Sequence, residues 1–149
     1  MEVFVRGSSS SMQDWLRAQQ IPANELPVLD DDQKAAAKHL GIPEEDYARS
    51  VYAGRLAQEE LLQKLLRFGR WLDTRIQERD PASTVESVDL DVWSEKIRVL
   101  GKSGGESFFF DLDEDLVERF LLTGATDLEK AILRVVEVFT PAQKAARAS

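Results

Sequence analysis

Few residues of this chain have the types and spacing that catalysis needs. His39 is the only histidine and there is no cysteine. A Ser-His-Asp or Cys-His mechanism would rest on His39 alone, and no G-x-S-x-G elbow is present. Zinc needs clustered nitrogen or sulfur ligands, which this sequence lacks. His39 falls in the last turn of an alanine-rich helical stretch, where an imidazolium complements the helix terminus. Carboxylates are the remaining candidates, because they can serve as acid–base pairs or bind calcium and magnesium. Asp111, Asp113 and Asp115 open with the odd spacing of an EF-hand loop. The loop then fails, with Leu116 where glycine is needed and Leu122 where glutamate is needed. Asp89 and Asp91 alternate with apolar residues, as on the exposed face of a strand. Gly101-Lys102-Ser103-Gly104-Gly105 lacks the spacing of a phosphate loop and leads into a strand, so it reads as a hairpin turn. No catalytic residue, metal ligand or cofactor is assigned.

The elements that position these groups follow from periodicity and punctuation. Val3-Phe4-Val5 is a short β-prone run broken by Gly7 and serines. Ser11 can cap a helix from Met12 to about Gln20. Pro22 and Pro27 bracket an irregular link. Asp30, Asp31 and Asp32 place negative charge at the start of a helix ending near Leu40, with Gly41 as its C-cap. Pro43 opens the next helix, which reaches about Ala53, with Gly54 as a break or kink. From Leu56 to about Arg79, Leu61, Leu65, Phe68, Leu72 and Ile76 recur at helical spacing. Leu62, Leu66 and Trp71 widen this stripe to an arc of roughly 220°. The helix is therefore central to the fold, or shared between a core and a partner. Asp80-Pro81 ends it.

Beyond it the period becomes alternating. Val88, Leu90 and Val92 alternate with Asp89 and Asp91, and Ile97 and Val99 alternate with Lys96 and Arg98. A turn centred on Ser94-Glu95 sets Val92 opposite Ile97, Leu90 opposite Val99 and Asp91 opposite Arg98. Ser-Glu is not a favoured two-residue turn, so a slightly longer loop is an alternative. A second turn leads to Ser107-Phe108-Phe109-Phe110, with Val99 opposite Phe108, completing a three-stranded antiparallel meander. Asp113 can cap a helix from Glu114 to about Leu122, ended by Gly124. Thr126 through Glu129 matches a capping box for a helix reaching about Val138.

The expected fold is α+β. A helical N-terminal half with one long central helix precedes the meander, which an N-terminal strand can join, and two helices close the chain. Residues 1–139 are read as a single domain: 1–29 as strand, helix and link, 30–79 as helices, 85–111 as meander and 113–139 as closing helices. Residues 140–149 are read as a frayed polar tail.

Gln33 to about Val51 reads helix, Leu40-Gly41-Ile42 turn, helix. This segment is similar to the helix-turn-helix of many repressors, with Ala37 and Gly41 at the alanine and turn-glycine positions. That likeness implies a nucleic-acid regulator. It departs from the pattern where Glu44, Glu45 and Asp46 open the recognition helix, with the wrong charge for phosphates. Tyr47 and Ser50 also stand where aliphatic residues are usual. Arg67, Arg70, Arg75 and Arg79 do not form a clean basic stripe, because Glu59, Glu60 and Glu78 interrupt it. With 27 acidic against 19 basic residues the net charge is -8, which opposes binding to nucleic acid or anionic lipid.

No stretch is long and apolar enough to span a membrane. The opening Met1-Glu2-Val3-Phe4-Val5-Arg6 lacks the pattern of a signal peptide. Together with the lack of cysteine, this gives a cytoplasmic expectation.

The strongest partner signal is the outward face of the meander, which carries Trp93, Leu100 and Phe109 beside Asp91 and Arg98. A face open to water is usually more polar. It is expected to be covered by the N-terminal strand and helices, or by another chain. With Trp71 on the helix, the candidate interaction residues are Trp71, Trp93, Arg98, Leu100 and Phe109. The leading expectation is a non-enzymatic interaction module, such as an adaptor, chaperone-like protein or assembly factor, that binds a protein partner or itself as a homodimer. The alternatives are a carboxylate- or magnesium-dependent enzyme or subunit, and the helix-turn-helix-like regulator.

Overall fold

A computed structural model describes residues 1–7 and 11–139; the tail expected over 140–149 lies outside them. The fold is α+β as expected. Where the sequence suggests one domain over 1–139, the described residues group into two compact units, 11–60 and 1–7 with 61–139.

In the first unit, α1 (Met12–Gln20) is fixed by reciprocal capping between Ser11 and Asp14. A single 3-10 turn, Ala23–Glu25, occupies the link between the two prolines. Asp30 and Gln33 form the same box for α2 (Asp31–Leu40). Gly41 ends α2 in the left-handed conformation, φ 70°, which glycine adopts without steric cost. Arg49 donates to the carbonyls of Ala18 and Ile21, both at 2.7 Å, satisfying acceptors left open where α1 ends.

The helix α3 (Glu44–Arg79) is continuous over 36 residues. The break expected at Gly54 is not there. A glycine costs an interior helical position only about 1 kcal/mol, and the helix-forming sequence on both sides outweighs it.

In the second unit, a sheet is ordered β1 (Glu2–Arg6), β2 (Ser83–Asp91), β3 (Lys96–Ser103) and β4 (Glu106–Asp113). β1 is parallel to β2 and the other pairs are antiparallel. Its inward side chains, among them Val88, Leu90, Ile97, Val99, Phe110 and Leu112, join Leu65, Phe68, Leu72 and Ile76 of α3 in one core. Val117 and Phe120 of α4 (Glu114–Thr123) and Ile132 and Val136 of α5 (Thr126–Phe139) complete it.

Both meander registers differ from expectation by two residues. Leu90 faces Ile97, Val88 faces Val99, and Asp89 rather than Asp91 faces Arg98. Val99 faces Phe110, and Gly101 faces Phe108. A shift of two keeps every side chain on its face. Between β2 and β3 the cause is a longer loop, Val92 to Glu95, in which Asp91 Oδ1 accepts the Trp93 and Ser94 N–H groups at 3.0 and 3.4 Å; between β3 and β4 the turn falls on Gly104-Gly105, with Ser103 opposite Glu106. Glu95 adopts φ 57° to close it.

The capping box expected at Thr126–Glu129 is also revised. Thr126 is already helical, the Glu129 N–H donates to the Ala125 carbonyl, and the Glu129 carboxylate pairs with Arg75. Asp113 precedes α4 but makes no side-chain cap, because its carboxylate is held by Lys96.

A polar knot ties α3 to the sheet. Asp80 Oδ2 accepts the hydroxyls of Ser83 at 2.6 Å and Ser103 at 2.8 Å, two buried serines opposite each other on β2 and β3. Asp73 Oδ1 accepts the Val85 N–H at 2.8 Å beside the register shift in β2, where the ladder is interrupted.

Candidate interaction face

The sheet has a second face, built by the outward residues of the same strands. The pairings place them in cross-strand rows: Phe4, Asp89, Arg98 and Asp111; Arg6, Asp91, Lys96 and Asp113; and Glu2, Ser87, Leu100 and Phe109. In the two charged rows acids alternate with bases from β2 to β4. Arg98 binds Asp111 in a two-pronged pair at 2.8 and 3.1 Å. Lys96 pairs with Asp113, and Arg6 reaches Asp89 at 3.1 Å. The Arg98 pairing holds the Asp111 carboxyl below the usual carboxylate range and raises the guanidinium in turn. Hydrogen bonding to Asp113 likewise raises Lys96. Exposed pairs of this kind contribute little stability each. Across the two rows four acids stand against three bases, so the middle of the face is largely paired with a small acidic excess.

The apolar part lies toward β4. Leu100 and Phe109 are direct cross-strand partners, 39% and 56% exposed. The Arg98 guanidinium lies 5.0 Å from the centre of the Phe109 ring, a cation–π contact that leaves the ring accessible. At the opposite edge Phe4 is 48% exposed. The N-terminal strand extends the sheet instead of covering it, so it does not shield this face as the sequence reading allowed.

Arg98, Leu100 and Phe109 therefore come together as a patch. Trp93 does not join them. It sits in the β2–β3 loop at the rim, 80% exposed, with its ring against the backbone of Gly7, where an added Cβ would lie 2.7 Å from the indole nitrogen.

Trp71 is elsewhere altogether. It packs inside the second unit, 4.5 Å from the Phe120 ring and 5.9 Å from Phe68, with Arg75 over it at 5.9 Å. The wide apolar arc that suggested a partner on this helix is filled here by α4. Phe4 is the member missed from sequence. Its signal was present, since strand alternation sends it opposite to Val3 and Val5.

The carboxylates offer one unusual group. Glu114 borders a groove between α3 and α4, beside Leu61, Leu65, Val117 and Leu121 and the exposed Lys64–Glu118 pair. Burial first, and then the nearby Glu118 charge, push its carboxyl up. The cavity is about 20 Å³, room for a single water. Asp111 and Asp113 face Arg98 and Lys96, and Asp115 pairs with Arg119. Among the described residues no three His, Cys, Asp or Glu side chains converge as a metal site. His39 is exposed in the last turn of α2. α2 and α3 are joined through Gly41, and the first turn of α3 is acidic, with Glu44, Glu45 and Asp46. Among the described residues no helix is long and apolar enough to cross a membrane. Comparison with protein-family models, with curated proteins and with solved structures finds no match.

Proposed function

We propose that the protein is a non-enzymatic interaction module that binds a protein partner, a second copy of itself included, through the outer face of its sheet. The observation that carries this reading is the exposed Leu100–Phe109 pair beside the paired charges of Arg98 and Asp111. An exposed aromatic with an arginine stacked on it is the kind of anchor that dominates binding energy at interfaces. Arg98 and Asp111 are already paired within the chain, so a partner need not desolvate either of them as an isolated charge. The module is read as cytoplasmic, with which a cysteine-free chain is compatible.

The test compares capture from native lysate by the wild type and by Leu100→Asp/Phe109→Asp. Both side chains point to solvent, so the variant should keep its melting temperature. Proteins retained by the wild type should be lost by the variant. Identical captured sets would overturn the reading, as would a variant that unfolds, because the residues would then belong to a core.

A further inference from the structure

We infer that the free edge of β4 is a docking strand for β4 of a second copy, forming one antiparallel sheet through both chains. This rests on the interaction-module reading, names its partner, and places the contact on the sheet edge beside the outer face.

β4 pairs with β3 on one side only, and among the described residues no strand lies on the other. One hydrogen bond fixes which backbone groups are left over. Glu114 N–H donates to the Glu95 carbonyl at 3.0 Å, bracketing the Lys96–Asp113 pair. Backbone groups alternate in direction along an antiparallel strand. Phe108, Phe110 and Leu112 therefore turn their N–H and C=O toward β3. Ser107, Phe109 and Asp111 turn theirs to the free edge.

Soluble proteins usually guard such an edge with a short strand, proline, lysine or a bulge. β1, the opposite edge, is only five residues long. β4 runs for eight, pairs without irregularity, and contains no proline, lysine or arginine; its charged residues are Glu106, Asp111 and Asp113, of which Asp111 and Asp113 are paired with β3. Among the described residues a groove runs beside it, lined by residues 106–111 and Phe139.

The sequence of the strand selects a second copy as the occupant. A two-fold axis at Phe109 sets Phe109 against Phe109 and Ser107 against Asp111 on the outer face, with Phe108 against Phe110 on the inner one. Every one of these odd-numbered pairs can exchange both N–H···O bonds. Glu106 then falls opposite Leu112 and Asp113 opposite Gly105, so no two acids meet. Asp111 enters already paired with its own Arg98. Sliding the register by two residues sets Phe109 against Asp111 or against Ser107, and leaves a single aromatic pair on the inner face, Phe110 against Phe110 or Phe108 against Phe108, in place of the outer Phe109 pair and the Phe108–Phe110 pairs.

Sedimentation equilibrium of the wild type and of Ser107→Pro tests this. Proline at 107 removes an edge-facing N–H and no β3–β4 bond, and should weaken the dimer by about tenfold or more, since each tenfold corresponds to about 1.4 kcal/mol. Amide exchange on the wild type gives a second readout that needs no variant. Ser107, Phe109 and Asp111 should exchange slowly at high protein concentration and quickly on dilution, whereas Phe108 and Phe110 stay slow throughout. A dimer that keeps its affinity in Ser107→Pro but loses it in Leu100→Asp overturns the edge and retains the outer face. A monomer at all concentrations, or exchange at the three odd positions that ignores concentration, also overturns the edge. The module reading then stands or falls on lysate capture.

Discussion

Asp80 sits where α3 ends and β2 is about to begin, and its carboxylate holds Ser83 and Ser103 together across two strands. The Ser83 hydroxyl first, then that of Ser103, lower its carboxyl below the ordinary range. A carboxylate whose value falls on folding stabilises the fold above its unfolded value, about 3.9, and that contribution fades as pH drops through the folded value. Asp80→Ala should therefore melt below the wild type at pH 7, with the gap closing as the pH falls below about 4. A gap of equal size in strong acid would mean that Asp80 acts by shape and not by charge. Glu114 behaves in the opposite sense. Its folded value is raised by burial, so ionisation works against the fold, and stability present at low pH is lost as pH rises through that value. Glu114→Gln should melt above the wild type at pH 7 and match it below the unfolded value of about 4.3. Thermal melts across pH settle both.

At the level of elements, two of the interior glycines, Gly54 and Gly101, ought to respond in opposite directions. A Cβ at Gly54 meets nothing within 4 Å, so Gly54→Ala should stabilise α3 by about 0.5–1 kcal/mol through reduced freedom of the unfolded chain. A Cβ at Gly101 would come within 2.5 Å of the Thr84 carbonyl oxygen and meet the Phe108 ring. Backbone cannot swing aside, so Gly101→Ala should cost about 1–3 kcal/mol. Denaturant midpoints measure the two.

The same contrast explains what could be read from sequence. Caps are local, so Ser11, Asp30, Gly41 and Gly124 declare their helix ends within a few residues. Side-chain direction along a strand has period two, so the faces holding Val88 and Phe109 were legible. The pairing of Arg98 with Asp89 was not, because loop length moves a register by two without changing any face. Trp71 was misplaced for a related reason: an apolar arc shows that something covers it, but not whether that is α4 or another molecule. The candidate patch was legible in Arg98, Leu100 and Phe109. Phe4, at the opposite edge of the same face, was not placed there, because β1 finds its partner strand far along the chain.

For the whole molecule, the net charge of -8 bears on association. Two such chains repel at long range, and the edge contact proposed above brings no new ion pair to offset this. Salt should therefore strengthen the dimer, by screening that repulsion. Dissociation constants at about 50 and about 300 mM sodium chloride would show it, because the screening length shortens across that range. Weakening by salt would instead indicate ion pairs between the chains.

The parallel pairing of β1 with β2 has a kinetic consequence. Glu2 lies beside Ser87, while β2, β3 and β4 are joined by short turns. Closing the meander orders little chain, whereas closing β1 against it must gather everything between. The hairpins should therefore form early and β1 dock late. During synthesis β1 emerges first and waits without a partner until β2 has been made. Until it docks, Val88 and Leu90 lack their neighbours on that side. Of the four strands of this sheet, the one translated first is thus the last to be folded.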